Sequence, residues 1–281
     1  MRRTRAGLLA MVIGATWFPG CAQAPPEPAG AAGTDTAAKR REFWQTYASA
    51  GTARSEGRLG DAIDMYTRAL ALQPGHEDSL YYLGNCLLEQ GEFDRALDTY
   101  RRLLALNPEG SSRAYMQIAS IRASLDERAP FDAAEAADLF RRALEVDPDS
   151  GALLGLAEVA VLQEQYDEAE ALLTRVEADN AMSIAAPYLQ GYLAFRKGDE
   201  TNAWSRFTTA VARGEIKKGS VKWTEEGDVK GTPELRWRAL ARQSVFGPHW
   251  IRLREYLRHP GPSRADMRRE YGALHDVLSR R

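Results

Sequence analysis

Residues 77–108 read EDSLYYLGNCLLEQGEFDRALDTYRRLLALNP. Apolar residues recur at helical spacing on both sides of Gly91: Leu80, Leu83 and Leu87 before it, Ala96, Tyr100 and Leu103 after it. That pattern predicts two amphipathic helices. Gly91 supplies the left-handed backbone that ends the first, and Pro108 stops the second. The small residues Gly84 and Ala96 let the two helices approach closely, while Leu83 and Tyr100 fill the space between neighbouring units.

The same unit recurs along the chain. Ala62, Tyr66, Ala69 and Pro74 precede Ala96, Tyr100, Leu103 and Pro108, each by 34 residues. Ala136, Phe140, Ala143 and Pro148 follow at a step of 40, and the excess fits an insertion in the turn Ser124 to Phe131. Ala169 comes 33 later, with Leu156-Ala157 and Leu173 in matching places, and Ala203 another 34 on, with Gly191, Gly198, Phe207 and Ala210. Five units thus span 41–215. A hairpin of this size cannot bury its apolar face alone, so stacking of neighbours must make the core. The spacing of large residue, Leu-Gly, large residue, Ala, aromatic and closing Pro resembles the tetratricopeptide repeat. The resemblance implies an all-α, right-handed solenoid of about five helical hairpins that binds other proteins and does no chemistry.

The first forty residues read differently. Arg2, Arg3 and Arg5 precede an apolar run from Leu8 to Phe18, the layout of a secretory signal over 1–20. Eleven apolar residues are too few for a spanning helix, which needs roughly 20. Gly20-Cys21 resembles the end of a bacterial lipobox, which makes Cys21 the expected lipidated first residue. Cleavage after Ala22-Gln23-Ala24 is the competing reading. Ala22 to Ala38 is rich in Pro, Ala and Gly without apolar periodicity, so 21–40 is expected to be a lipidated Cys and a tether reaching about 50 Å from a membrane. Cleavage before Cys21 leaves only Cys21 and Cys86, and a lipidated Cys21 then excludes an intramolecular disulfide. Cys86 falls on an apolar helical face and reads as a small core residue.

Chemistry-bearing patterns are absent from the sequence. His76, His249, His259 and His275 form no H-E-x-x-H pair, and no C-x-x-C occurs, so neither a metal nor a catalytic site is expected. Gly214 to Ser220 lacks the lysine of a phosphate loop and follows no strand, and no G-x-G-x-x-G or G-x-S-x-G occurs, so no cofactor is expected. The composition, 44% hydrophobic and 27% charged with a formal net charge of −2, suits a globular chain and argues against a nucleic-acid partner. The 49 residues from Pro233 carry 11 Arg and 5 acidic residues, a net +6 that leaves −11 for the rest of the cleaved chain. This part, 216–281, is expected to form a loop or hairpin and then basic helices opening near Pro233, Pro248 and Pro262. These would cap the solenoid's apolar end, either as a solvated basic cover or as a surface for an acidic partner.

In the tetratricopeptide family the first helix of each repeat lines the concave surface, through positions 2, 5, 9 and 12. Carried over, position 5 gives Tyr47, Tyr81, Tyr115 and Tyr188, interrupted by Leu154 in the fourth repeat. Position 9 adds Asn85 and Tyr192, and position 12 adds Arg54 and Arg122. Tyrosine offers rigid amphipathic contact area and arginine bidentate hydrogen bonds, which together suit an extended or helical peptide. The plainer reading has each tyrosine half-buried against its own helix. Members that clamp a C-terminal carboxylate carry Lys at position 5, where this chain has Tyr. The expected role is a protein or peptide-binding scaffold of the bacterial cell envelope, exported and membrane-anchored through lipid, as in similar lipoproteins that assist secretin or barrel assembly. A carbohydrate- or peptidoglycan-recognition module using the same tyrosines is the alternative.

Overall fold

In a computed structural model of the chain, the residues described are 31–148, 150–214, 244–257 and 261–280. All regular structure among them is helical. By its internal contacts the chain divides into Met1–Arg41 and Glu42–Arg281. Of the first unit, the described residues are helical. The signal segment, Cys21 and the start of the tether lie outside the described residues. Residues 31–40, expected to belong to the tether, are helical, since α1 begins at Ala31 and runs to Ser55. Ala31, Ala32, Ala37 and Ala38 are strong helix formers, and an absence of apolar periodicity does not forbid a helix.

Five hairpins follow one another: α1 with α2 (Leu59–Leu72), α3 (Glu77–Glu89) with α4 (Phe93–Leu106), α5 (Ser112–Arg122) with α6 (Ala133–Val146), α7 (Ser150–Leu162) with α8 (Tyr166–Asp179), and α9 (Ala185–Arg196) with α10 (Glu200–Arg213). This is the expected all-α solenoid. α4, α6 and α8 each pack on the first helix of the next hairpin as well as on their own partners, and α2 packs on α3. Ala62, Ala96, Ala136, Ala169 and Ala203 are all fully buried, as close helix approach requires. Tyr66, Tyr100, Phe140 and Phe207 are buried at the aromatic position of their repeats. Each such ring contributes about 1.5–3 kcal/mol by leaving water.

The turns repeat as faithfully as the cores. Gly57, Gly91 and Gly198 all have φ of +77° or +78°. In each turn the following amide donates back across the helix end, as Glu92 N does to Leu87 O at 2.9 Å. The fourth repeat makes the same turn with Glu164, at φ +58°. In the third repeat the longer connection between α5 and α6 closes through Asp132 N donating to Arg122 O at 2.8 Å. Cys86 is buried as expected, and burial pushes its thiol up to about 11. No helix of the described residues is long and apolar enough to cross a membrane.

Beyond the repeats, α11 (Gly247–Trp250) runs into a 3-10 turn (Ile251–Leu257), and α12 (Arg264–Leu278) follows. Ser263 caps α12: it accepts from Asp266 N while the Asp266 side chain accepts from Ser263 N. The helix expected near Pro233 lies outside the described residues.

Candidate partner-binding face

The first helices of repeats one to three present the expected tyrosines, each half-buried. Tyr47 stands edge-on to His76 at 5.0 Å between ring centres and lies nearly parallel to Phe43. Trp44 beside it is 52% exposed, which makes this the most open aromatic group on the face. Tyr81 carries the Arg113 guanidinium over its ring at 4.7 Å, and Arg113 also pairs with Asp78 at 3.3 Å. That pair ties the first helices of the second and third repeats together. The Tyr115 hydroxyl donates to the Pro108 carbonyl at 3.1 Å.

The polar residues expected beside these tyrosines are committed inside the protein. Arg54 stacks over Tyr82 at 4.5 Å and hydrogen-bonds to the Tyr66 hydroxyl. Asn85 accepts from the buried Tyr100 hydroxyl at 2.7 Å, within its own hairpin. Arg122 pairs with Glu135 at 2.6 Å and donates to the Pro130 carbonyl at 3.0 Å, which pins the long connection of the third repeat. Arg54, Asn85 and Arg122 thus each hold a partner within the protein, while Arg54 Nε is buried without one. The sequence pattern did not name these partners. Tyr82, Arg113 and His76, which the pattern passed over, complete the face.

In repeats four and five the same face is covered by the chain's own C-terminal part. Tyr188 and Tyr192 are fully buried, which removes them from any open groove. The Tyr271 hydroxyl of α12 donates to the Tyr188 carbonyl at 3.1 Å, and its ring lies against Tyr188, Tyr192, Phe195 and Phe207. A Cβ at Gly191 would stand 2.1 Å from the Tyr271 hydroxyl, so only glycine admits that ring. Burial pushes the Tyr192 hydroxyl up to about 12. Arg196 reaches His275 at 2.9 Å, and Arg268 forks onto Glu200 at 2.7 and 2.8 Å. The cap therefore lies on the first-helix face and not only over the end of the stack.

The cover begins on α7. Glu158 is fully buried at the place in its repeat that Asn85 holds in the second. The Ser244 hydroxyl donates to its carboxylate, as do the amides of Val245, at 2.9 Å, and Phe246. Burial pushes the Glu158 carboxyl up to about 7, although these hydrogen bonds act the other way. Phe246 is itself fully buried, and the 3-10 turn lays Tyr256 edge-on to Phe207. Burial also lowers His249 to about 4, with Arg252 adding to the effect. Among the described residues no group of His, Cys, Asp and Glu is placed to hold a metal ion.

The family model described as Tetratricopeptide repeat matches residues 53–121 and 128–191. Solved structures share the fold at low identity. PilW, described as a widely conserved type IV pilus biogenesis factor, aligns at 17% identity and TM-score 0.55, over 83% of this chain and 98% of its own. A tetratricopeptide repeat protein from Parabacteroides merdae aligns at 19% and 0.55, over 90% and 86%. MamA from Desulfovibrio magneticus aligns at 16% and 0.54, over 61% and 94%. A comparison with curated proteins finds no match. Over 53–121 and 128–191 the chain matches that repeat, and its fold is an all-α solenoid of helical hairpins.

Proposed function

We propose that this chain is a non-catalytic scaffold of the bacterial cell envelope, exported, held at a membrane by lipid on Cys21, and binding a peptide segment of a partner protein on the face of α1, α3 and α5. The observation that carries the reading is the tyrosine row itself. Tyr47, Tyr81 and Tyr115 recur at the 34-residue period, and all three keep part of their surface exposed. With Trp44 they give a run of rigid amphipathic rings, the residue type that dominates peptide and protein contacts. PilW, which shares the fold, is described as a type IV pilus biogenesis factor. Ser244–Leu257 and α12 then act as cover rather than as the partner site.

The test is capture of partners from membranes with the full chain as bait. Tyr81→Ala is expected to weaken capture about thirtyfold, with the helical circular dichroism signal unchanged, since losing a central anchor costs about 2 kcal/mol. Unchanged capture by Tyr81→Ala contradicts the reading of the face. Cys21→Ser is expected to move the protein to the soluble fraction. A wild-type protein that is already soluble and starts at Pro25 contradicts the anchor.

A further inference from the structure

The covered face is built like a ligand site. Its floor is α7 and α9; the tyrosines at the matching position of repeats one to three are only half-buried. At one end Glu158 receives a hydroxyl and two successive backbone amides, from Ser244, Val245 and Phe246. A carboxylate reading backbone N–H groups recognises an extended segment by its main chain, while the buried Phe246 adds an apolar anchor. At the other end Gly191 opens a socket that the Tyr271 ring fills.

The cover also fits its floor imperfectly. The Tyr188 hydroxyl, Gln190 Oε1, His249 Nδ1 and Glu270 Oε2 are buried among the described residues without a hydrogen-bond partner. Buried polar groups in a settled core are nearly always paired. Four such exceptions on the cover and its floor, against one on Arg54 and one on Arg122 in repeats one to three, mark a contact that costs less to open than the repeats beneath it.

We propose that the α7–α9 face is a second binding site, that it takes an aromatic segment offering free backbone N–H groups and a hydroxyl to a buried carboxylate, and that Ser244–Leu257 with α12 is its detachable resident ligand. The site stands independently of the tyrosine row on repeats one to three. A tethered ligand competes at high effective concentration, so a second segment of the same chemistry gains entry when the resident is weakened.

The experiment uses the full chain and a labelled peptide of residues 244–280. Wild type is expected to bind it weakly. Tyr271→Ala, which empties the Gly191 socket in cis, is expected to bind it at least about tenfold more tightly, and adding Glu158→Ala is expected to abolish that gain. Hydrogen exchange on wild type needs no variant: amides of 245–257 and of α12 should exchange at least about tenfold faster than the protected amides of α7 to α10. Equal exchange of cover and floor, a Tyr271→Ala chain that unfolds through α7 to α10, or a folded Tyr271→Ala chain that takes no peptide overturns the proposal.

Discussion

Tyr81 and Tyr188 hold the same position in their repeats, on the same face of a first helix. Tyr81 lies under Arg113 and stays half exposed, whereas Tyr188 is sealed beneath Tyr271. The difference does not come from the hairpins, whose alanines, aromatics and turns superpose in kind from repeat to repeat. It comes from the helices' other sides. The run AAPYLQGYLAF in α9 and GALLGLAEVAVL in α7 are apolar on nearly every face, and a helix of that kind must be covered all round. EDSLYYLGNCLLE in α3 keeps polar ends and open aromatic rings. One repeat architecture thus yields an open face in its first half and a filled one in its second.

Replacing the two tyrosines separates the halves most sharply. Tyr188→Ala is expected to cost about 3–5 kcal/mol, as for other large buried rings. Tyr81→Ala is expected to cost about 1 kcal/mol or less, since it loses mainly the Arg113 contact. Urea unfolding of both variants measures the gap, and equal losses would break the comparison.

Acidity distinguishes the halves next. The Glu158 carboxyl is raised in the folded state to about 7 from the ordinary 4.5. The folded state therefore holds its proton more tightly than the unfolded one. Its contribution to stability is full below about pH 4.5, is lost as pH rises through about 7, and amounts to on the order of 3 kcal/mol. Comparing unfolding at about pH 5 and about pH 8 should show this loss in wild type and a flatter profile in Glu158→Gln. Identical profiles would place Glu158 in water.

Glycine contacts give a smaller and more local contrast. A Cβ at Gly84 would meet the Tyr100 ring at 2.5 Å, and one at Gly191 would meet Tyr271. Gly84→Ala and Gly191→Ala are each expected to cost about 1–3 kcal/mol. Only Gly191→Ala should also expose Tyr188 to a tyrosine-modifying reagent. The smallest effect lies in the turns: Glu164→Gly relieves a left-handed residue and should stabilise by about 0.5–1 kcal/mol, net of the flexibility it adds to the unfolded chain. Thermal unfolding of the variant measures it.

What the sequence disclosed follows from what repeats. Five matched registers placed the hairpins and the left-handed glycines, because each is a local demand made several times. Partners that occur once were not legible. Nothing near Arg122 in sequence marks Glu135 as its ion pair, and Asn85 meets Tyr100 only when the hairpin folds. Tyr271 reaches Gly191 across 80 residues, with no second copy to reveal the pairing. A signal was nevertheless present: Glu158 sits alone in an otherwise apolar helix, and such a charge requires partners from elsewhere.

Tyrosine modification read by mass spectrometry on the native full-length chain tests the central contrast most directly. Tyr47, Tyr81 and Tyr115 are expected to react, while Tyr188, Tyr192 and Tyr271 stay protected for as long as the cover is closed. Reaction of Tyr188 and Tyr192 at the rate of Tyr81 would contradict the account, because the second half of the face would then be as open as the first.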